Sequence, residues 1–348
     1  LEQSSITYKF RSFKMKKQLL IAAVAATMTS AAMADISITG GMKVNYKDTD
    51  QNGGLTNAIS HETDLQITGK SGGTTVYIEL NNDSADGLAN ANSSVTGSSV
   101  GNGNFDVEDV WMKTSIAGAT VKAGTWNGSD SLVSADSARA LGKFEVSTTV
   151  SGVTVIADGS SDANKNITFK GDVAGVAASY KIDDEGADEY KLSTTMNGVT
   201  VAYHNVDDSD STANTGKSSI MVSGSYQGFD LAYAQADTDT SASITGDSFF
   251  GDMAAVERTS GGSASDGMAS GDDVSGFSIK TNVAGNALKA RFVTIDATTA
   301  ALDSDIMTLT ATRALASGVT VEATYTDEDS TTAANDKEVL DLELAVKF

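Results

Sequence analysis

An all-β chain closed into a transmembrane up-and-down antiparallel barrel of sixteen to eighteen strands, eighteen being the better count, is the fold this sequence predicts. Three observations point there. The last ten residues alternate strictly and end on an aromatic: Leu340, Leu342, Leu344, Val346 and Phe348 share one face, Asp341, Glu343, Ala345 and Lys347 the other. Eight short Gly-containing turns recur between alternating runs. Between those hairpins lie longer connections rich in Asp, Ser, Thr, Asn and Gly. A strand at the chain's end leaves an unpaired edge unless it meets the first strand, and closure removes that edge.

The chain's start indicates export. Met15, Lys16 and Lys17 form a short basic region, Leu19 to Ala26 an apolar run, and Ala32-Met33-Ala34 an A-x-A cleavage pattern. This reads as a signal peptide over residues 15–34, cut between Ala34 and Asp35. The apolar run falls well short of the roughly 20 residues of a spanning helix. Residues 1–14 precede the first plausible initiator and are expected to be upstream sequence, so the barrel is assigned to residues 35–348.

Composition then excludes several classes. No Cys is present, so a disulfide-stapled secreted domain is ruled out. Without residues 1–34 the chain keeps 19 bases against 45 acids, a net charge of −26, which makes nucleic acid an improbable partner. Hydropathy shows no helix-length apolar stretch, but barrel strands escape that test because their two faces cancel.

In chain order, the turns fall at Ser71-Gly72-Gly73, Ala117-Gly118, Ser151-Gly152, Ala174-Gly175, Asn197-Gly198, Gln227-Gly228, Ala284-Gly285-Asn286 and Ala316-Ser317-Gly318. Longer connections include Asp183 to Glu189, Asp207 to Gly216, and Asp237 to Asp273. Eight turns at one rim and nine loops at the other make seventeen connections, hence eighteen strands. Sixteen follows if one weak hairpin is a loop excursion. The terminal strand, Leu340 to Phe348, is expected to pair with Ile36 to Tyr46.

The mature chain resembles the Gram-negative general porins. The matching segments are the signal peptide followed by Asp35-Ile36-Ser37-Ile38-Thr39-Gly40, the hairpin Val110 to Trp126, and the terminal Leu342-Glu343-Leu344-Ala345-Val346-Lys347-Phe348. The resemblance implies an outer-membrane channel for passive diffusion of small hydrophilic solutes and ions, set in the lipid bilayer with lipopolysaccharide and assembled as a homotrimer. It also implies that Phe348 is part of the signal read by the barrel-assembly machinery. Family members usually have sixteen strands and aromatic girdles, whereas this chain is only 6% aromatic. Tyr46, Tyr180, Tyr203, Phe229, Tyr233, Phe292 and Tyr325 are expected to supply a sparse girdle.

Channel chemistry resides in the inward side chains. With the apolar set outward, Lys43, Lys47, Lys122, Lys143, Lys181, Lys191, Lys280, Lys289 and Arg291 face inward, because a charge facing mid-bilayer lipid costs roughly 2–4 kcal/mol. The third long connection, Asn127 to Gly142, follows the fifth strand and bears Asp130, Asp136 and Arg139. By family position it is the loop that folds inward as a constriction, where an acidic loop facing a basic wall would set a transverse field. Asp237 to Asp273 holds eight acids against Arg258, so the mouth is expected to favour cations mildly.

No cofactor or metal is expected, since neither a calcium-loop spacing nor a Gly-Gly-x-Gly-x-Asp repeat occurs. An enzyme is not expected either: the two histidines, His61 and His204, lie outside any Gly-x-Ser-x-Gly or His-Glu-x-x-His pattern. The alternative is an exported β-rich adhesin or coat protein working through its acidic loops. Alternation alone does not separate the two, although a sandwich core would want more large apolar side chains.

Overall fold

The computed structural model describes residues 35–51, 54–83, 106–126, 142–160, 165–183, 188–207, 216–238, 257–258, 265–266, 273–297, 303–315, 318–332 and 336–348. Ala34, the constriction residues Asp130, Asp136 and Arg139, and most of the acidic 237–273 stretch lie outside them. The first strands are β1 (Asp35–Gln51), β2 (Gly54–Ser71), β3 (Thr74–Asp83), β4 (Asp106–Ile116), β5 (Ala119–Thr125), β6 (Lys143–Val150) and β7 (Val153–Gly159). Then come β8 (Asn166–Val173), β9 (Val176–Asp183), β10 (Asp188–Met196), β11 (Val199–Asp207), β12 (Lys217–Tyr226) and β13 (Phe229–Thr238). A two-residue hairpin, β14 (Glu257–Arg258) with β15 (Ser265–Asp266), stands apart as its own sheet. The chain returns through β16 (Asp273–Val283), β17 (Asn286–Asp296), β18 (Ser304–Ala314), β19 (Val319–Ser330) and β20 (Lys337–Lys347).

Among the described residues eighteen strands form one sheet, each antiparallel to its sequence neighbours, and β1 pairs with both β2 and β20. The sheet is therefore a closed up-and-down barrel of eighteen strands, not sixteen. At six short turns both central residues have positive φ, for example Ala117 at 51° with Gly118 at 86° and Asn197 at 52° with Gly198 at 81°. That is the type I′ turn, whose twist matches the flanking strands. Ala, Ser and Gln accept this left-handed conformation at several first positions, each with Gly beside it. The β1–β2 connection departs from the expected long loop: Gln51 pairs with Gly54, so only two residues join strands of 17 and 18 residues.

The seam also differs from expectation. Phe348 N donates to Gly40 O at 3.0 Å, and Gly40 N donates to Phe348 O at 2.9 Å. The register continues through Met42–Val346, Val44–Leu344 and Tyr46–Leu342 to Asp48–Leu340. Leu340 to Phe348 thus pairs with Gly40 to Asp48, and residues 35–39 pair with β2 alone. Strand alternation sets which face a residue takes, but the stagger of a tilted closing sheet sets how far the ends overlap.

The outer face repeats one order of side chains from turn to loop. On β13 it runs Phe229, Leu231, Tyr233, Gln235, Asp237; on β11, Val199, Val201, Tyr203, Asn205, Asp207. Tyr46, Tyr190, Phe277, Phe292 and Tyr325 lie on the same face, with Asp48, Asp188, Asp273, Asp296 and Asp327 one or two outward positions further toward the loop end. Every aromatic expected for the girdle lies on this face, with Phe229 at the turn end. Phe229 to Asp237 spans about 26 Å along the strand. A barrel tilt reduces this to about 20 Å of height, close to the roughly 25 Å apolar band of outer-membrane barrels.

The Phe348 ring lies on this face over Gly40, where an added Cβ would sit 2.7 Å from two ring carbons. Glycine here gives the terminal aromatic its seat, as aromatic side chains do over sheet glycines elsewhere. Gly40→Val is expected to destabilise the barrel by about 1–3 kcal/mol through this clash. Combined with Phe348→Ala, the loss should be less than additive. Heat or urea midpoints on semi-native gels measure both effects, and full additivity would refute the contact.

Candidate functional site

The register fixes the inner face strand by strand. Lys43 opposes Glu62, Asn45 opposes Glu343, and Lys47 opposes Asp341. Lys122 opposes Lys113 and Glu145, Lys181 opposes Glu189, and Lys191 opposes His204. Lys280 opposes Lys289 and Asp230, and Arg291 opposes Ser278 and Thr308. Lys143 shares this face with Glu145, one position removed from the outward, exposed Phe144. All nine basic residues singled out from the sequence thus lie on the face opposite the apolar band, where Lys70, Lys113, Lys170, Lys217 and Lys337 join them.

The matching acids are unevenly spread around the wall. Glu322, Glu328, Asp341, Glu343, Glu62, Asp64 and Glu79 cluster on the sector from β19 through β20 and β1 to β3. There Lys43 forms an ion pair with Glu62, and Gln66 Nε2 donates to Glu79 Oε1 at 2.9 Å. From β4 to β17 the inner face is richer in bases. The barrel wall therefore has a sector from β19 to β3 in which acids outnumber bases, and a longer arc from β4 to β17 in which lysines are interspersed with Glu145, Asp158, Asp183, Glu189 and Asp230.

Within the basic sector, Glu189 is the centre of a buried cluster. Its carboxylate lies 2.8 Å from Lys191 Nζ, 3.6 Å from Lys181 Nζ and 3.1 Å from His204 Nε2. Lys217 and Ser219, on the neighbouring strand, are buried alongside. Sequence reasoning placed Glu189 at the edge of a loop, whereas it is the second residue of β10 and inward. Its i, i+2 spacing to Lys191 was the available signal. His61 is mid-strand in β2 opposite Val44.

An aromatic row runs across β3 to β6 on the inner face, toward the loop ends of β5 and β6. Tyr77 and Trp111 stack with ring centroids 5.0 Å apart and planes 19° from parallel. Lys122 Nζ stands 4.6 Å from the Trp111 centroid and 4.2 Å from that of Trp126, with Lys143 Nζ 5.8 Å beyond the latter. Gly124 makes this possible: at φ 143°, a Cβ there would collide with the Val110 carbonyl and the Trp111 backbone. Both tryptophans of the chain are in this row, and no residue of it except Lys122 and Lys143 was singled out from the sequence.

The inner face also holds apolar side chains that were not singled out from the sequence. Ala232, Ala234, Ala236, Val274, Val293, Ile295 and Ile306 form a buried inward cluster across β13 and β16–β18, with Met221 against it. On β17, Val293 and Ile295 alternate with the outward Phe292 and Thr294, so apolarity alone does not identify the lipid side there. Among the described residues no group of three or more His, Cys, Asp or Glu side chains could hold a metal ion.

No family model and no curated protein matches the chain. Solved structures do. Pseudomonas aeruginosa OpdL superposes with a TM-score of 0.64 at 10% identity over 90% of this chain and 99% of that one. P. aeruginosa OccK2 (OpdF) in complex with glucuronate gives 0.62 at 11% over 90% and 98%, and P. aeruginosa OccD3 (OpdP) 0.59 at 13% over 90% and 91%. At such identities the likeness establishes the fold, an eighteen-stranded closed β-barrel.

Removing the Glu189 charge would leave Lys181, Lys191 and Lys217 crowded without their common counter-ion. Glu189→Gln is expected to destabilise the folded barrel by about 3 kcal/mol, the scale for breaking a buried ion pair from one side. A urea midpoint unchanged from the parent chain would contradict the cluster's role.

Proposed function

We propose that the chain is a porin of the Gram-negative outer membrane, forming a water-filled channel for passive diffusion of small hydrophilic solutes and ions. The observation that supports this most is the inversion of the ordinary globular pattern. Leu342, Leu344, Tyr233, Phe292 and Phe348 are exposed around the outside, while lysines and carboxylates alternate with them toward the inside. Such a surface is at home in lipid, since soluble proteins rarely expose contiguous apolar patches beyond a few hundred Å². The structural neighbours are outer-membrane porins, which supports the same location and activity and argues against catalysis. Among the described residues all strands but the short β14–β15 pair belong to one closed sheet, which speaks against the two packed sheets of a sandwich adhesin.

Solute handling follows from the charged wall in this proposal. Lys43, Lys47, Lys122, Lys143, Lys181, Lys191, Lys280, Lys289 and Arg291 act with the acids of β19–β3 to set a field across the lumen that orients dipolar solutes. The outward carboxylates at the loop end and the acidic outer connections raise the local cation concentration, within a screening length of about 8–10 Å. A mild cation preference results. Assembly as a trimer, recognition of Phe348 by the assembly machinery and cleavage before Asp35 belong to the same reading.

Purified protein in planar bilayers should give stepwise conductance, with reversal potentials in a KCl gradient showing potassium more permeant than chloride. Anion selectivity would overturn the cation preference, and an absence of conductance from folded, inserted protein would overturn the channel.

A further inference from the structure

We infer that His204 is a proton switch for the charge selectivity of the channel, adding positive charge to the inner wall when the medium turns acid. The inference rests on the channel reading and names a regulation of it. Imidazole is the one side chain whose unperturbed titration falls between pH 5 and 8. The chain has two histidines and no cysteine, so few groups can serve that range. His61 takes the outer parity of β2, opposite Val44. His204 takes the inner parity of β11, between Lys191 on β10 and Ser219 on β12, near the loop end of the wall.

The geometry gives a proton on this ring a defined effect. Glu189 Oε1 lies 3.1 Å from His204 Nε2 and 2.8 Å from Lys191 Nζ, while Oε2 faces Lys181 Nζ at 3.6 Å. An ionised carboxylate only accepts hydrogen bonds, so Nε2 carries the hydrogen of the neutral ring, and acid adds the second proton at Nδ1. The ring then holds Oε1 by a charge-assisted bond, in competition with Lys191 for the same oxygen. A neutral neighbour of the ion pair becomes a second cation on it.

Among the described residues the charged groups on the inner face around His204 are Glu189 and Lys191 on β10, Lys181 and Asp183 on β9, Lys170 on β8 and Lys217 on β12. On β13 the inward neighbours at this level are Ala234 and Ala236. Lys181, Lys191 and Lys217 set against Glu189 leave a charge of +2 with a neutral ring and +3 with a protonated one. The added charge repels cations and draws anions within a screening length of about 8–10 Å. Acid therefore erodes the cation preference that the outward carboxylates create.

Reversal potentials in a KCl gradient, measured in planar bilayers from pH 8 to pH 5, read the switch. The potassium-to-chloride permeability ratio should fall by roughly twofold toward the acid end. His204→Gln, which keeps a hydrogen-bond donor without a titrating ring, should hold the ratio near its value at the alkaline end. His204→Lys, charged throughout, should show the low ratio at both ends, and His61→Gln should keep the step. With two histidines in the chain, imidazole NMR resonances of the folded protein in detergent, assigned through His204→Gln, follow the proton independently of conduction. The inference is overturned if conducting channels keep one ratio across the range, if the step survives in His204→Gln, or if the His204 resonance does not titrate there. If the folded protein does not conduct, the channel reading fails, and the imidazole titration alone decides whether His204 takes up the proton.

Discussion

The two reciprocal backbone hydrogen bonds between Gly40 and Phe348 are where the rest of the molecule begins. A sheet in lipid has no water to satisfy the N–H and C=O groups of a free edge, so it is tenable there only if its last strand finds its first. Closure through β1 and β20 satisfies both edges together and fixes the stagger of every strand between them. It also divides each strand's side chains into a set that meets hydrocarbon and a set that meets the enclosed space. The outer aromatic level, the outward carboxylates beyond it and the inner charges all follow from that division.

Once the inside is defined, its electrostatics are largely a matter of which strands bear which charges. Acids outnumber bases on β19–β3, and lysines outnumber acids modestly on β4–β17, so the charge around the wall is uneven and fixed in rigid sheet. Glu189 shows how far the packing of like charges depends on single counter-ions, with two lysines and a histidine converging on one carboxylate. The Trp111–Lys122–Trp126 row lies where the acidic sector gives way to the basic one. It holds a lysine against two ring faces, with Tyr77 stacked on the first of them.

Much of the fold was legible because barrel strands obey a period of two and their turns demand particular residues. Asn197-Gly198 and its counterparts marked the hairpins, since type I′ turns need positive φ at both centres, and seventeen connections gave the eighteen strands observed. The terminal alternation named the outward set correctly from Leu340 to Phe348. The seam register was not legible, because overlap of the ends depends on the tilt of all eighteen strands and not on local pattern. The inward apolar cluster was not singled out, because Val293 and Ile295 are as apolar as the lipid-facing set and only their parity with Arg291 marks them as inward. Glu189 was missed because an acidic run resembles a loop until its alternation with Lys191 is counted. The aromatic row could have been suspected from Trp111 and Lys113 sharing one parity, but its closure around Lys122 depends on neighbours across three strands.

The division of faces is tested most directly by scanning the closing strands with single cysteines, which the chain's lack of native Cys makes unambiguous. Each residue from Leu340 to Val346 and from Met42 to Asp48 would be replaced in turn. Reactivity toward a membrane-impermeant, water-soluble thiol reagent would then be measured in lipid vesicles. Odd positions such as 341, 343, 345, 43, 45 and 47 should label, and even positions between 340 and 346 and between 42 and 46 should be protected. Uniform labelling of both sets, or the opposite parity, would contradict a lipid-embedded barrel with a charged aqueous interior.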